Sequence, residues 1–265
     1  MTALLVEKNG PVAILTLNRP EARNILGEPG DGALFRDAIA AINDDPAIRC
    51  AILTGAGSVF SAGGNIKAMQ EKTGLFAGKP DEITAAYERD IHGVVKVLWA
   101  IEVPLIAAVN GAAIGLGNDV ACLADIRIAS ETAVFSVPFL KLGLVPGDGG
   151  SWLLPRVIGY ARAAELFFSA DTIDATMALK WGLVSRVVPS AVLMDEAHGL
   201  AVSIARQPPS VLRQTKALMR QGLTTDFATV MKASAESQGH AHASGDHAEA
   251  LAAFFAKRPP VFRGN

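Results

Sequence analysis

The sequence predicts a mixed α/β core followed by a helical tail. Three observations carry this. Short apolar runs punctuated by glycine alternate with longer stretches of helical spacing, in two-strand-then-helix units without a sequence repeat. After about residue 190 the helical spacing continues with no strand-like run between segments. Of the 265 residues, 50% are hydrophobic and 19% charged, enough for one large domain plus an appendage. The expected division is a core over 1–195 and a helical oligomerisation region over 196–265.

The elements follow in order. "LLVEK" and "PVAILTLN" flank an Asn-Gly pair, the signature of a hairpin. "NRPEARNILGEPGDG" is a polar loop rich in glycine and proline, and residues 33–43 space their apolar residues as a helix does. "CAILTG" and "PLIAAVNG" are buried strands on either side of a helix over 82–100. "GNDVACLA" opens another helix, and "DIRIAS" and "AVFSV" are strands. The segment 72–81, "KTGLFAGKPD", has the composition of a mobile loop.

Composition excludes several classes. The net charge is −2 and no basic block exists, so there is no electrostatic footprint for nucleic acid. "VPLIAAVNGAAIGLG" is the most apolar stretch, but Asn110 and four glycines or prolines break it, so no membrane span is expected. Glu7 and Lys8 interrupt the N-terminus before a secretory signal can form, and a cytoplasmic location is expected. Cys50 and Cys122 sit in apolar runs and are expected as buried thiols.

Three glycine-bearing stretches follow predicted strands: "GSVFSAGGNIKAM", "VNGAAIGLGNDVA" and "LGLVPGDGG". Each brings bare backbone N–H groups close to whatever fills the site. Two such groups suit a substrate that develops negative charge on one oxygen. A phosphate loop is the rival, but no Gly-Lys-Ser/Thr ending and no dinucleotide fingerprint is present.

"TLNRPEARN", "FSAGGNIKAM", "PLIAAVNGAAIGLGNDVACLADIRIAS", "LGLVPGDGGSWLLPRVIG", "ALKWGLVSRVV" and "FFAKRPPVF" occur in order between about residues 10 and 262. Together they resemble the enoyl-CoA hydratase/isomerase, or crotonase, superfamily. The resemblance implies a spiral of strand-strand-helix turns, with C-terminal helices that build a homotrimer or a dimer of trimers. It implies an acyl-CoA substrate, no separate cofactor and no metal. The thioester oxygen would be held by the N–H groups of Gly64 and Leu116, in a pocket that includes Ala62, Ile66, Phe139, Pro146 and Gly147. Phe254, Lys257 and Arg258 would meet the CoA moiety.

The resemblance also places the two glutamates of the family's hydratases. The first falls at Asp119, one methylene shorter, and the second at Phe139. Phe139 can neither hold water nor supply a proton, which weakens paired-acid hydration and also the isomerase route that uses the same glutamate; the atypical acid/base set as a whole favours isomerisation or proton shuttling over standard hydration. Asp148, in the glycine-rich turn, is the other candidate acid or base; the alternative is a turn aspartate bonded to local N–H groups. Two further readings stay open: a C–C or thioester hydrolase using Asp148, and a CoA-ester-binding protein without turnover. In the β-diketone hydrolase branch "PGDG" is similar, but the partner histidines would fall at Leu116 and Phe139.

Other suggestive residues have plainer readings. His240, His242 and His247 do not share one helix face and are expected to bind no metal. His92 is expected as a satisfied structural histidine, and Ser61 lies in no nucleophile elbow.

Overall fold

The computed structural model describes residues 2–265. Strands β1 (Leu4–Asn9) and β2 (Val12–Leu17) form the expected hairpin. Asn9 pairs with Val12, so the turn is Gly10–Pro11, one residue later than the Asn-Gly pair suggests. Gly10 has φ +57°, a conformation that costs glycine least. Helix α1 (Asp31–Asn43) leads to β3 (Cys50–Gly55) and β4 (Val59–Ser61). Helices α2 (Ile66–Glu71) and α3 (Pro80–Trp99) follow, then β5 (Leu105–Val109), β6 (Ala112–Ile114) and α4 (Leu116–Leu123). The third turn is β7 (Ile126–Ser130), β8 (Val134–Ser136) and α5 (Gly150–Ile158).

Each turn splits its strands between two sheets. β3, β5 and β7 join a six-stranded sheet of order β1-β2-β3-β5-β7-β10, and β4, β6 and β8 join a four-stranded sheet. Helix α6 (Tyr160–Ser169), β9 (Thr172–Asp174), α7 (Ala175–Trp181) and β10 (Arg186–Val188) complete both sheets. The pairings are parallel except β1–β2 and β8–β9. Parallel strands covered on both faces read as continuous apolar runs, which is why β3 and β5 were visible in the sequence. On one face Leu15, Leu53 and Ala107 meet Phe35, Ile39 and Leu98 of the main core. On the other, Ile52, Ile106 and Ile128 meet Leu193, Ala197 and Ala201 of α8 (Leu193–Ala205).

The strand-free tail is as expected: α8, then α9 (Pro209–Gly222), α10 (Phe227–His242) and α11 (Gly245–Ala256). Its first helix is part of the core by packing. By contrast α10 buries no residue, and Phe227 and Met231 stand open to solvent. The segment 72–81 contains a 3-10 turn over Gly74–Phe76 that buries Leu75, so this loop is anchored at its centre. Among the described residues no helix is long and apolar enough to cross a membrane.

Candidate active site

The first strand-following loop is held from both sides. Asn24, in the left-handed region at φ 54°, is buried; its amide donates to the Ala56 and Val59 carbonyls at 2.8 Å. Its carbonyl accepts from Ser61 Oγ at 2.7 Å, and Ser61 Oγ in turn accepts the Gly63 N–H at 3.1 Å. Ser61 is thereby spent on architecture. Arg19 and Asp31 form a two-pronged ion pair at 2.7 and 2.8 Å behind the same loop. The motif "NRPEARN" is thus a clamp for "FSAGG", and its polar residues serve the backbone.

The second loop lies against the first. A Cβ on Gly63 would stand 2.5 Å from the Ile114 oxygen and 3.2 Å from the Leu116 nitrogen, so only glycine permits this approach. Gly115, at φ 54° and ψ −120°, turns the chain from β6 into α4 and puts the Leu116 N–H at the helix start. Among the described residues, neither the Gly64 nor the Leu116 N–H donates to another protein group. Two unbonded donors thus lie on adjoining loops, one of them at the positive end of a helix. Phe139, almost wholly buried, lies 3.7 Å from where a Gly115 Cβ would be.

The third loop brings the acids together. Asp119 is the fourth residue of α4 and has no solvent exposure. Its Oδ2 accepts the Gly150 N–H at 3.1 Å, and Asn118 Nδ2 approaches Oδ1 at 3.4 Å. A Cβ at Gly150 would fall 2.3–2.4 Å from both Asp119 oxygens, and Gly149 sits at φ +94°. The glycines of "PGDGG" therefore have separate duties: Gly149 makes the turn, and Gly150 seats the neighbouring carboxyl.

Asp148, 3% exposed, accepts a hydrogen bond from the Tyr87 hydroxyl of α3. His92, one helical turn on, bonds through Nε2 to the Gly147 carbonyl at 2.9 Å, and its ring meets Tyr87 edge-on. His92 is satisfied as expected, but it supports the site. Burial, and then the charge of Asp148, lifts the Asp119 carboxyl well above its ordinary range. Burial lifts Asp148 as well, opposed by the Tyr87 hydrogen bond and the His92 charge. Burial and then Asp148 push the Tyr87 phenol up in turn. Two like charges cannot both be held in so dry a place, and the pair favours keeping one proton.

The other predicted residues are placed less closely. Ala62 is half-buried on the first loop and Ile66 exposed at the start of α2. Pro146 lines a cavity of about 210 Å³ with Leu140, Ser151, Tyr160 and Phe167, and neither Asp119 nor Asp148 is on its wall. Phe254 is exposed, Lys257 closes α11 in the left-handed region, and Arg258 grips Glu249 through two bonds of 2.6 and 2.8 Å. His242 and His247 meet at 3.1 Å across the α10–α11 turn, but no group of three metal-ligating side chains occurs among the described residues. Burial pushes the Cys50 and Cys122 thiols up to about 12, as inert core cysteines should be.

Tyr87 is the residue the sequence did not single out. The available signal was its place four residues before Ile91 and seven before Val94, on the inward stripe of α3. A tyrosine there turns a hydroxyl toward the interior.

Comparison with known proteins agrees along the whole chain. The Enoyl-CoA hydratase/isomerase family model matches residues 7–265. The Crotonyl-CoA hydratase of Syntrophomonas wolfei is 38% identical over 261 residues, covering 98% of this chain and 97% of that protein. The 1,2-epoxyphenylacetyl-CoA isomerase of Escherichia coli is 37% identical over 259 residues, with 98% and 97% covered. The crystal structure of an Enoyl-CoA Hydratase from Bacillus anthracis superposes with a TM-score of 0.92 at 30% identity, covering all of both chains. With a family match across nearly its full length and relatives of this identity, the chain belongs to the enoyl-CoA hydratase/isomerase family and is an acyl-CoA enzyme of crotonase fold.

Proposed function

We propose that this enzyme holds a thioester enolate on the Gly64 and Leu116 N–H groups and moves a proton between Asp148 and Asp119, shifting a double bond. The observation that carries this is the pair of buried carboxyls, with Phe139 standing where a second glutamate would be. One carboxylate removes a proton from carbon, the C–H electron pair passes into the enolate, and the oxyanion seat takes the charge. The protonated partner returns a proton to another carbon as the electrons fall back. Atoms balance, and no redox partner is needed. A raised carboxyl pKa suits a group that both takes and gives protons near neutrality. The acyl-CoA substrate would reach Phe254, Lys257 and Arg258 with its CoA end, without a separate cofactor or metal. The exposed apolar side chains of α10 and α11, among them Phe227, Met231, Leu251 and Phe255, fit a trimer or a dimer of trimers in a cytoplasmic setting.

The test is exchange of substrate α-protons in deuterated water by the parent, Asp119→Asn and Asp148→Asn. Exchange by the parent that either substitution abolishes is the expected result. If Asp148→Asn exchanges and turns over as the parent does, Asp148 is a turn residue only.

A second reading, hydration, is favoured by the similarity to the crotonyl-CoA hydratase of Syntrophomonas wolfei. Loss of one positioned acid/base group costs about 10²–10⁴ in rate. Crotonyl-CoA hydration at the rate of a dedicated hydratase would replace the isomerase reading and assign both proton steps to Asp119.

A further inference from the structure

We propose that Tyr87 is a positioning residue of the carboxyl pair: its hydroxyl holds one oxygen of Asp148, and with His92 it fixes the turn so that the other oxygen is left for the substrate. The inference rests on the proposed proton-carrying roles of Asp119 and Asp148, and it deepens that reading by giving the two acids different duties.

The geometry is specific. Two side chains from one helix meet two consecutive residues of the turn, Tyr87 at Asp148 Oδ1 and His92 at the Gly147 carbonyl. Their rings brace each other at 5.3 Å and 88°. Gly147 leaves the room this needs, since a Cβ there would lie 3.2 Å from the Tyr87 oxygen. Among the described residues Asp148 Oδ2 has no hydrogen-bond partner, and it is not sealed from solvent contact. One oxygen is anchored and the other has no protein partner, which is the arrangement of a base held ready.

The partner differs. Asp119 is enclosed by α4 and the Gly150 N–H, with Asn118 and the Cys122 thiol beside it and no cation in contact. The titratable groups facing Asp148 are Tyr87 and His92 from α3 and Asp119 from α4. A phenol that donates to a carboxylate favours the ionised form. Asp148 is thereby the group that starts as base, and Asp119 the one that holds the proton.

The experiment compares the parent with Tyr87→Phe, Asp148→Asn and the double variant, by α-proton exchange and turnover of an unsaturated acyl-CoA across pH. Tyr87→Phe should lower kcat by about tenfold, the scale of one hydrogen bond to a charged group, with KM little changed. It should move the acidic limb of the profile to higher pH, because Asp148 has lost the donor that favours its ionised form. In the Asp148→Asn background it should change nothing further. A Tyr87→Phe profile that matches the parent overturns the inference, as does an effect that persists in Asp148→Asn. If Asp148→Asn itself behaves as the parent, the reading of Asp148 as base fails first and takes this inference with it. If Asp148→Asn is inactive and Tyr87→Phe normal, only the role of Tyr87 fails.

A second measurement needs no turnover. The chain has two tyrosines, Tyr87 and Tyr160. In a Tyr160→Phe protein, the tyrosine Fermi doublet of the Raman spectrum reports Tyr87 alone. Adding Asp148→Asn should move its ratio away from that of a phenol donating to a carboxylate, and an unchanged ratio would show that the contact is absent.

Discussion

Two charge clusters in this molecule, one containing Asp119 and the other Asp125 just after it in the chain, obey opposite rules. Asp119 and Asp148 are both buried and accept hydrogen bonds, and among the described residues neither has a salt-bridge partner. Asp125, just beyond α4, faces Lys216 at 2.7 Å and Arg220 at 3.4 Å from α9. Lys216 also donates to the Val103 carbonyl at 2.7 Å, and Arg220 stacks on Trp99 at 4.1 Å. In the second cluster every charge has an opposite neighbour, which joins the tail to the core. In the first, burial and then the charge of Asp148 push the Asp119 carboxyl toward its neutral form. Frustration of this kind marks a reactive site, whereas complementarity marks architecture.

The largest expected effect is on the first cluster. Asp119→Asn should lower turnover by about 10²–10⁴. It should also change the pH dependence of stability. Burial first, and Asp148 second, hold Asp119 above the ordinary 3.8. The folded protein keeps a proton that the unfolded chain has released, so stability is full below that pH and is lost as pH rises through the folded value. Denaturant midpoints of the parent should fall over this range, and those of Asp119→Asn should fall less.

The second cluster should respond with the opposite sign. Burial, opposed by Asp125, pushes Lys216 down to about 8 from 10.5. Here the unfolded chain holds the extra proton, so this contribution makes stability rise as pH climbs from about 8 through 10.5. Lys216→Met should flatten that rise. Asp125→Asn leaves Lys216 without its counter-charge and should cost about 3 kcal/mol, with kcat per folded molecule unchanged. A large fall in kcat for Asp125→Asn would break the contrast between the clusters.

Smaller effects separate a site glycine from a neutral one. Gly150→Ala drives a methyl into the Asp119 carboxyl and should cost about 1–3 kcal/mol together with activity. Gly199, in mid-α8 with nothing within 4 Å of a new Cβ, should instead gain about 0.5–1 kcal/mol as alanine. Thermal melts of the two variants alongside assays check both.

By itself the sequence determined the features that local chemistry controls. Apolar runs gave β3, β5 and β7, helical spacing gave α1, α3 and α8–α11, and the hairpin was written in its turn residues to within one position. The glycine loops were legible because bare backbone leaves a signature in composition. Strands β4, β6, β9 and β10, with three residues each, are too short to display a period, whereas the equally short β8 is legible because "AVFSV" extends its apolar run. β4 and β6 exist because β3 and β5 carry their neighbours into the second sheet, where β9 joins β8, and β10 closes the first sheet beside β7. The site divides in the same way. Asp119 and Asp148 were visible as acids among glycines, and Gly64 and Leu116 as loop positions. That Gly150 seats Asp119 and that Tyr87 reaches Asp148 were decided by the tertiary structure. Tyr87 and Asp148 are 61 residues apart. Only the packing of α3 on the third turn of the spiral brings a phenol and a carboxyl together, and no local pattern encodes that meeting.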